Sequence, residues 1–164
     1  FEDTTVEKAE KFLDYLTSLG IDGVTMASAF RYQDAPDQDH FFGRRRTFDF
    51  FDKLLAKNKK DRWDLNHSPL YLEFLRGQRD YSCTPWGNPS YSVLGWQKPC
   101  YLLDEGYAET FKELMETTEW ENYGHQNNRK CADCTAHCGY EPTAVKDATS
   151  SLKGMMDSAK MVFQ

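Results

Sequence analysis

Five cysteines carry the chemistry that this sequence offers, and all of them lie in its second half. Three form a tight block, Cys131-Ala-Asp-Cys134-Thr-Ala-His137-Cys138, with gaps of two and three residues. Two more, Cys83 and Cys100, lie upstream, with Gly95 between them where backbone must pass close to backbone. Thiolates at such spacings converge on one soft metal centre without a long connecting loop, and soft sulfur selects zinc, copper(I) or an iron–sulfur cluster. Iron–sulfur is the first reading and structural zinc the alternative. An odd cysteine number argues against a secreted disulfide framework and points to a reducing, cytoplasmic setting.

Other polar groups have blander readings. His125 and His137 are expected to be solvated rather than ligands. Asp34, Asp37 and Asp39 lack calcium-loop spacing and serve a polar loop, Arg31 to His40. Arg44-Arg45-Arg46 reads as a solvated basic trio. Asn66 and Ser68 stand at the end of an expected strand, where parallel α/β enzymes gather functional groups, although Ser68 is also explained as a helix cap.

The elements that must position these residues follow from periodicity. Thr4 and Glu7 form a capping box for a first helix, with an apolar stripe from Val6 to Leu19 and Gly20 as its C-terminal cap. Ile21–Ala27 and Arg62–Asn66 read as buried strands. Thr47 opens a second helix rich in phenylalanine, and Ser68-Pro69 starts a third that Gly77 closes. That alternation is the grammar of a parallel α/β fold, with too few units to close a barrel. Beyond residue 78, Pro85, Gly87, Pro89, Gly95 and Pro99 interrupt the chain. A helix is expected near 107–118 and a C-terminal one from Thr149 to Val162. The resulting division is 1–78 as α/β units, 79–148 as a cysteine-rich module and 149–164 as a terminal helix.

Composition narrows the function classes. A net charge of −6 over 164 residues excludes a phosphate-backbone partner, so no nucleic acid is expected. No run approaches the roughly 18 apolar residues of a membrane span. The start, Phe1-Glu2-Asp3-Thr4-Thr5, has no signal pattern, and the chain reads as a piece of a longer protein. The block is not the radical S-adenosylmethionine motif, whose gaps run three and then two.

Two stretches nevertheless carry a family resemblance: Cys83-Thr-Pro-Trp-Gly-Asn-Pro89 through Gly95-Trp-Gln-Lys-Pro-Cys100-Tyr-Leu-Leu103, and Cys131 through Val145. With Ala35-Pro-Asp-Gln38 and Asn66-x-Ser-Pro-Leu70, they resemble the C-terminal part of the hopanoid-biosynthesis radical S-adenosylmethionine proteins, over essentially the whole chain. The resemblance implies the C-terminal portion of a partial TIM-type barrel followed by an irregular cysteine-rich module with short helices. It implies an adenosyltransferase that adds the 5′-deoxyadenosyl radical to the alkene of a hopene. The radical-generating cysteines are absent from this chain, which is therefore expected to be inactive alone.

Further implications concern ligands and partners. An auxiliary [4Fe–4S] cluster would be held by Cys83, Cys100, Cys134 and Cys138, with Cys131 as the alternative ligand and zinc as the alternative metal. Ser28, Asn66 and Ser68 would line the S-adenosylmethionine or substrate wall. The partners implied are the hopene lipid, a flavodoxin or ferredoxin electron donor, the missing N-terminal barrel half and the inner-membrane surface. Rival readings are a related radical enzyme with another substrate, a non-enzymatic zinc-stabilised module and a one-electron carrier.

Overall fold

A computed structural model describes residues 1–30, 38–60, 62–103 and 105–150, with 152, 154–156 and 159 beyond them. Asp34, Asp37, Ala35-Pro36-Asp37 and Val162 lie outside the described residues. The protein is mostly helical, with one small three-stranded antiparallel sheet. Among the described residues, no helix is long and apolar enough to cross a membrane.

Helix α1 spans Val6–Ser18. Its cap is Thr5, one residue later than the capping box predicts, and the Thr5 hydroxyl accepts from the Lys8 amide at 3.2 Å. Gly20 has φ +72° and ends the helix as expected. Helix α2 spans Arg44–Leu55 and starts three residues before Thr47. The basic trio therefore occupies its first turn, where positive charge opposes the helix dipole. Two acids from elsewhere offset this: Asp133 accepts from the Arg44 amide at 3.0 Å, and Glu2 pairs with Arg46 at 3.0 Å. Helix α3, Pro69–Leu75, is capped by Ser68 as expected and buries Leu70, Tyr71, Phe74 and Leu75 completely.

The parallel sheet expected across the first half is reduced to one bridge, Val24↔Leu65, so the half-barrel expectation is corrected. The bridge bonds are Val24 N–H to Asp64 O, 2.8 Å, and Asn66 N–H to Val24 O, 2.9 Å. Its next rungs are occupied by side chains. The Met26 amide donates to His67 Nε2 at 2.9 Å, and the Ser68 amide donates to Glu141 at 2.6 Å. With their backbone donors taken, the two segments cannot lengthen the ladder.

In the second half, β1 (Tyr91–Ser92) and β2 (Gly95–Gln97) form a hairpin, and β3 (Tyr107–Ala108) pairs with β2 through Trp96↔Ala108. Gly95 does pass close to backbone, but its neighbour is the Ala108 carbonyl rather than a metal ligand. The helix expected at 107–118 is shorter: α4 spans Phe111–Thr117 behind the Thr110 cap. The terminal helix begins earlier than Thr149, because α5 runs His137–Ser150 out of the cysteine block itself. Gly139 and Pro142, residue types that disfavour a helix interior, sit within its first two turns. Gly139 is required there, since a Cβ would overlap the Cys83 sulfur.

One aromatic core joins the parts. Phe74 of α3 stacks on Tyr140 of α5 with centroids 4.4 Å apart, and also contacts Tyr71, Tyr81 and Phe48. Leu13, Phe51, Leu54 and Trp63 from the first half share this core with Tyr140 and Ala144 from the second. The line near residue 78 thus runs through a shared interior. Phe74→Ala should cost about 3–5 kcal/mol. Urea unfolding should show it shifting a single transition, by both far-ultraviolet circular dichroism and tryptophan fluorescence.

Candidate metal centre

Every cysteine is free, and all five line a single cavity. They reach it from separate elements. Cys83 arrives on the segment after α3, and Cys100 on the turn after β2. Cys131 ends a short 3-10 turn, Arg129–Cys131, and Cys134 lies in the loop that follows. Cys138 stands in the first turn of α5. Pro85, Pro99, Leu102 and Tyr140 close the cavity with apolar surface. The sulfurs surround a space instead of meeting at a point. Among the described residues, no three His, Cys, Asp or Glu side chains stand close enough to share one ion.

Polar groups near four of the thiols lower the cost of their charged forms: the backbone of Leu102 and Leu103 at Cys100, of Gly124 at Cys131, of Ala136 at Cys134, and of Cys138 and Gly139 at Cys138. The Tyr101 side chain does the same at Cys138. Such groups favour the thiolate. Burial opposes them and wins in the metal-free chain, pushing Cys100 up to about 11 and Cys134 up to about 12. Burial raises Cys83, Cys131 and Cys138 too. Cys83 is raised further by the other four cysteines that line the cavity.

The scaffold that holds the cavity contains residues that sequence reasoning passed over. Arg44 is not a solvated cation: Nη1 donates to the Cys134 carbonyl at 2.7 Å and to the Tyr140 hydroxyl at 3.2 Å. Its guanidinium lies 5.0–5.3 Å from the ring centres of Phe48, Phe74 and Tyr140. Arg45 is exposed and fits the original reading. His67 and Glu141 form a second tie. Nδ1–H of His67 donates to Glu141 at 3.0 Å, while the other carboxylate oxygen takes the Ser68 amide. Burial pushes the Glu141 carboxyl up, but the His67 and Ser68 bonds outweigh it and hold the group below its ordinary value. The only sequence hints were an acid beside Pro142 and an acid between two cysteines, Asp133.

The expected wall residues are all engaged by the protein. The Ser28 hydroxyl is buried against that of Thr135 at 2.7 Å, and Ser68 Oγ caps α3. The Asn66 side chain packs against Gly23, where a Cβ would collide with its amide. Ser28 and Asn66 belong to neighbouring strand-like segments, and Thr135 and Glu141 bring the cysteine module down onto those segment ends. His125 is half-buried, bonded to the Tyr140 hydroxyl at 3.3 Å, and burial holds it below its ordinary value. His137 has a buried Nδ1 with no partner among the described residues and lines the outer groove beside Cys138.

Residues 24–158 match the profile of a domain of unknown function, DUF3463. No curated protein and no solved structure matches the chain.

The raised thiols predict a pH dependence. Their pKa values in the folded, metal-free chain exceed the unfolded value of 9.0, so unfolding releases protons above that pH. Stability is fully present below about pH 9 and falls as pH rises through about 11 to 12. Urea midpoints of the metal-free protein should therefore drop over this window. The drop should be smaller in Cys100→Ala/Cys134→Ala, and thiolate absorbance should rise later in the folded chain than in urea.

Proposed function

The chain belongs to the DUF3463 family, and we propose that it is the cysteine-rich part of a radical S-adenosylmethionine adenosyltransferase that adds the 5′-deoxyadenosyl radical to the alkene of a hopene. Its own share of that work is to hold an auxiliary [4Fe–4S] cluster against the substrate side of the barrel. The observation that carries this reading is the gathering of all five thiols around one cavity. A single zinc ion, at about 2.3 Å from each sulfur, draws any two ligands within about 4.6 Å. A polynuclear cluster instead takes sulfurs spread around a volume, and polar groups beside them tune it. The backbone groups near Cys100, Cys131, Cys134 and Cys138 would act on it in that way.

Cys83, Cys100, Cys134 and Cys138 would hold the cluster, leaving Cys131 as the spare thiol. Once bound, such a cluster supplies a one-electron donor or acceptor beside the substrate, or braces the module that covers it. The chain's residues do the rest. Arg44 fixes the Cys134 carbonyl, and Thr135 and Glu141 seat the module on the segment ends that carry Ser28, Asn66 and Ser68. The cysteines that generate the radical, the lipid substrate and a flavodoxin or ferredoxin donor complete the proposed enzyme.

Loading is the direct test. Protein purified without oxygen should contain iron and acid-labile sulfide near about four each per chain. Cys134→Ala should lose both, and Cys131→Ala should keep them. One zinc per chain with no sulfide would overturn the cluster and make the module a structural staple. Iron and sulfide retained in Cys134→Ala would overturn the ligand assignment.

A further inference from the structure

The β1–β2 hairpin ends in an apex that its turn does not demand. Two-residue hairpin turns favour Asn, Asp and Gly, yet the turn here is Val93-Leu94. Val93 is as accessible as in an extended peptide, at 102%, and Leu94 and Tyr91 are each 67% exposed. Isolated apolar residues on a surface need no explanation, but a protruding pair backed by aromatic rings does. Tyr91 and Trp96 face each other one rung behind the Ser92↔Gly95 pair, with ring centres 5.1 Å apart. Phe111, itself half exposed, lies 5.1 Å from Trp96.

We infer that this hairpin inserts its Val93-Leu94 apex into the apolar edge of a lipid bilayer, with Tyr91 and Trp96 at the headgroup level. Depth supports it. A strand rises about 3.3 Å per residue, so the aromatic rung lies about 7 Å behind the apex. That matches the roughly 5–10 Å to which interfacial segments bury themselves. Aliphatic tip and aromatic collar follow the polarity gradient of the membrane interface.

Charge and area choose this occupant over a protein. No charged side chain occurs between Asp80 and Lys98, in a chain that is 28% charged. The hairpin itself therefore brings no charge to the bilayer, and the nearest carboxylate is Glu109, which follows β3 beside Gly95. The three exposed side chains present about 400–500 Å² on a narrow, convex tip, against the roughly 800 Å² per partner of a stable protein interface. This inference goes beyond the cluster reading and is independent of which metal the cysteines bind.

The test is sedimentation of the full chain with phosphatidylcholine vesicles, with and without added phosphatidylglycerol and salt. The protein should co-sediment with phosphatidylcholine alone, with little response to anionic lipid or salt. Val93→Asp/Leu94→Asp should lower the partition coefficient at least tenfold, and the milder Val93→Ser/Leu94→Ser should lower it less. Circular dichroism should be unchanged in both, because the apex touches no core. Brominated phosphatidylcholine should quench tryptophan emission, and most of that quenching should vanish in Trp96→Phe. Absence of vesicle binding, or equal binding by the aspartate variant, overturns the inference. Concentration-dependent self-association that the aspartate variant abolishes, without lipid binding, overturns it in favour of a second copy of this chain.

Discussion

The Phe74–Tyr140 stack is the contact on which the rest of the molecule depends. Phe74 belongs to α3 and Tyr140 to the first turns of α5, and their rings lie nearly parallel at 4.4 Å. Cys83 follows α3 and Cys138 precedes Tyr140 by two residues, so the stack sets the separation of thiols that are distant in sequence. The Gly139 backbone lies directly under the Cys83 sulfur, an approach that a side chain would block. Arg44 brings α2 into the same arrangement, with its charge over the rings and its donors on Cys134 and Tyr140. An arginine suits this place better than lysine, because its planar guanidinium stacks and donates at once.

Stacking alone would not gather five thiols, one buried and four half-buried, around one cavity. The metal-free chain tolerates them by keeping them protonated, as the raised pKa values of Cys100 and Cys134 express. Loading any thiophilic centre must expel those protons, which couples affinity to pH. The backbone groups near the sulfurs lower the cost of the thiolate but do not overcome burial, and under the proposed reading they would favour the ligated state.

The sequence was most legible where local chemistry decides structure. Thr5 stands one residue from the expected cap, while Ser68, Gly20 and Gly77 do what caps and helix ends do. The five cysteines line one cavity, three from the tight block and two from the Pro-rich segments upstream. Failures occurred where a distant partner overrides local preference. Arg44–Arg46 opens a helix despite the dipole because Asp133 and Glu2 supply the missing negative charge. The block at 137–142 becomes helix in spite of both residues: Cys83 requires Gly139, and Pro142 sits inside the helix, where it removes the donor that would meet the Cys138 carbonyl. Neither partner is close in sequence, so no window of neighbouring residues could have revealed it.

The shortened ladder joins fold and chemistry. In a longer parallel pair, Met26 and Ser68 would carry the next backbone rungs after Val24 and Asn66. Here His67 meets Met26 and Glu141 meets Ser68, so the sheet ends where the cysteine module begins. Glu141 lies three residues from Cys138, and His67 lies directly after the bridge. The hydrogen bonds that stop the strands are therefore the ones that seat the module over their ends. A movement of α5 would release the Ser68 amide and remove the Glu141 anchor of the His67 ring that accepts from Met26, and a buried donor is costly to leave unpaired. The module is thus fixed to the strand ends by backbone satisfaction as much as by packing, which is how a short, irregular, cysteine-rich segment can hold its thiols in one place.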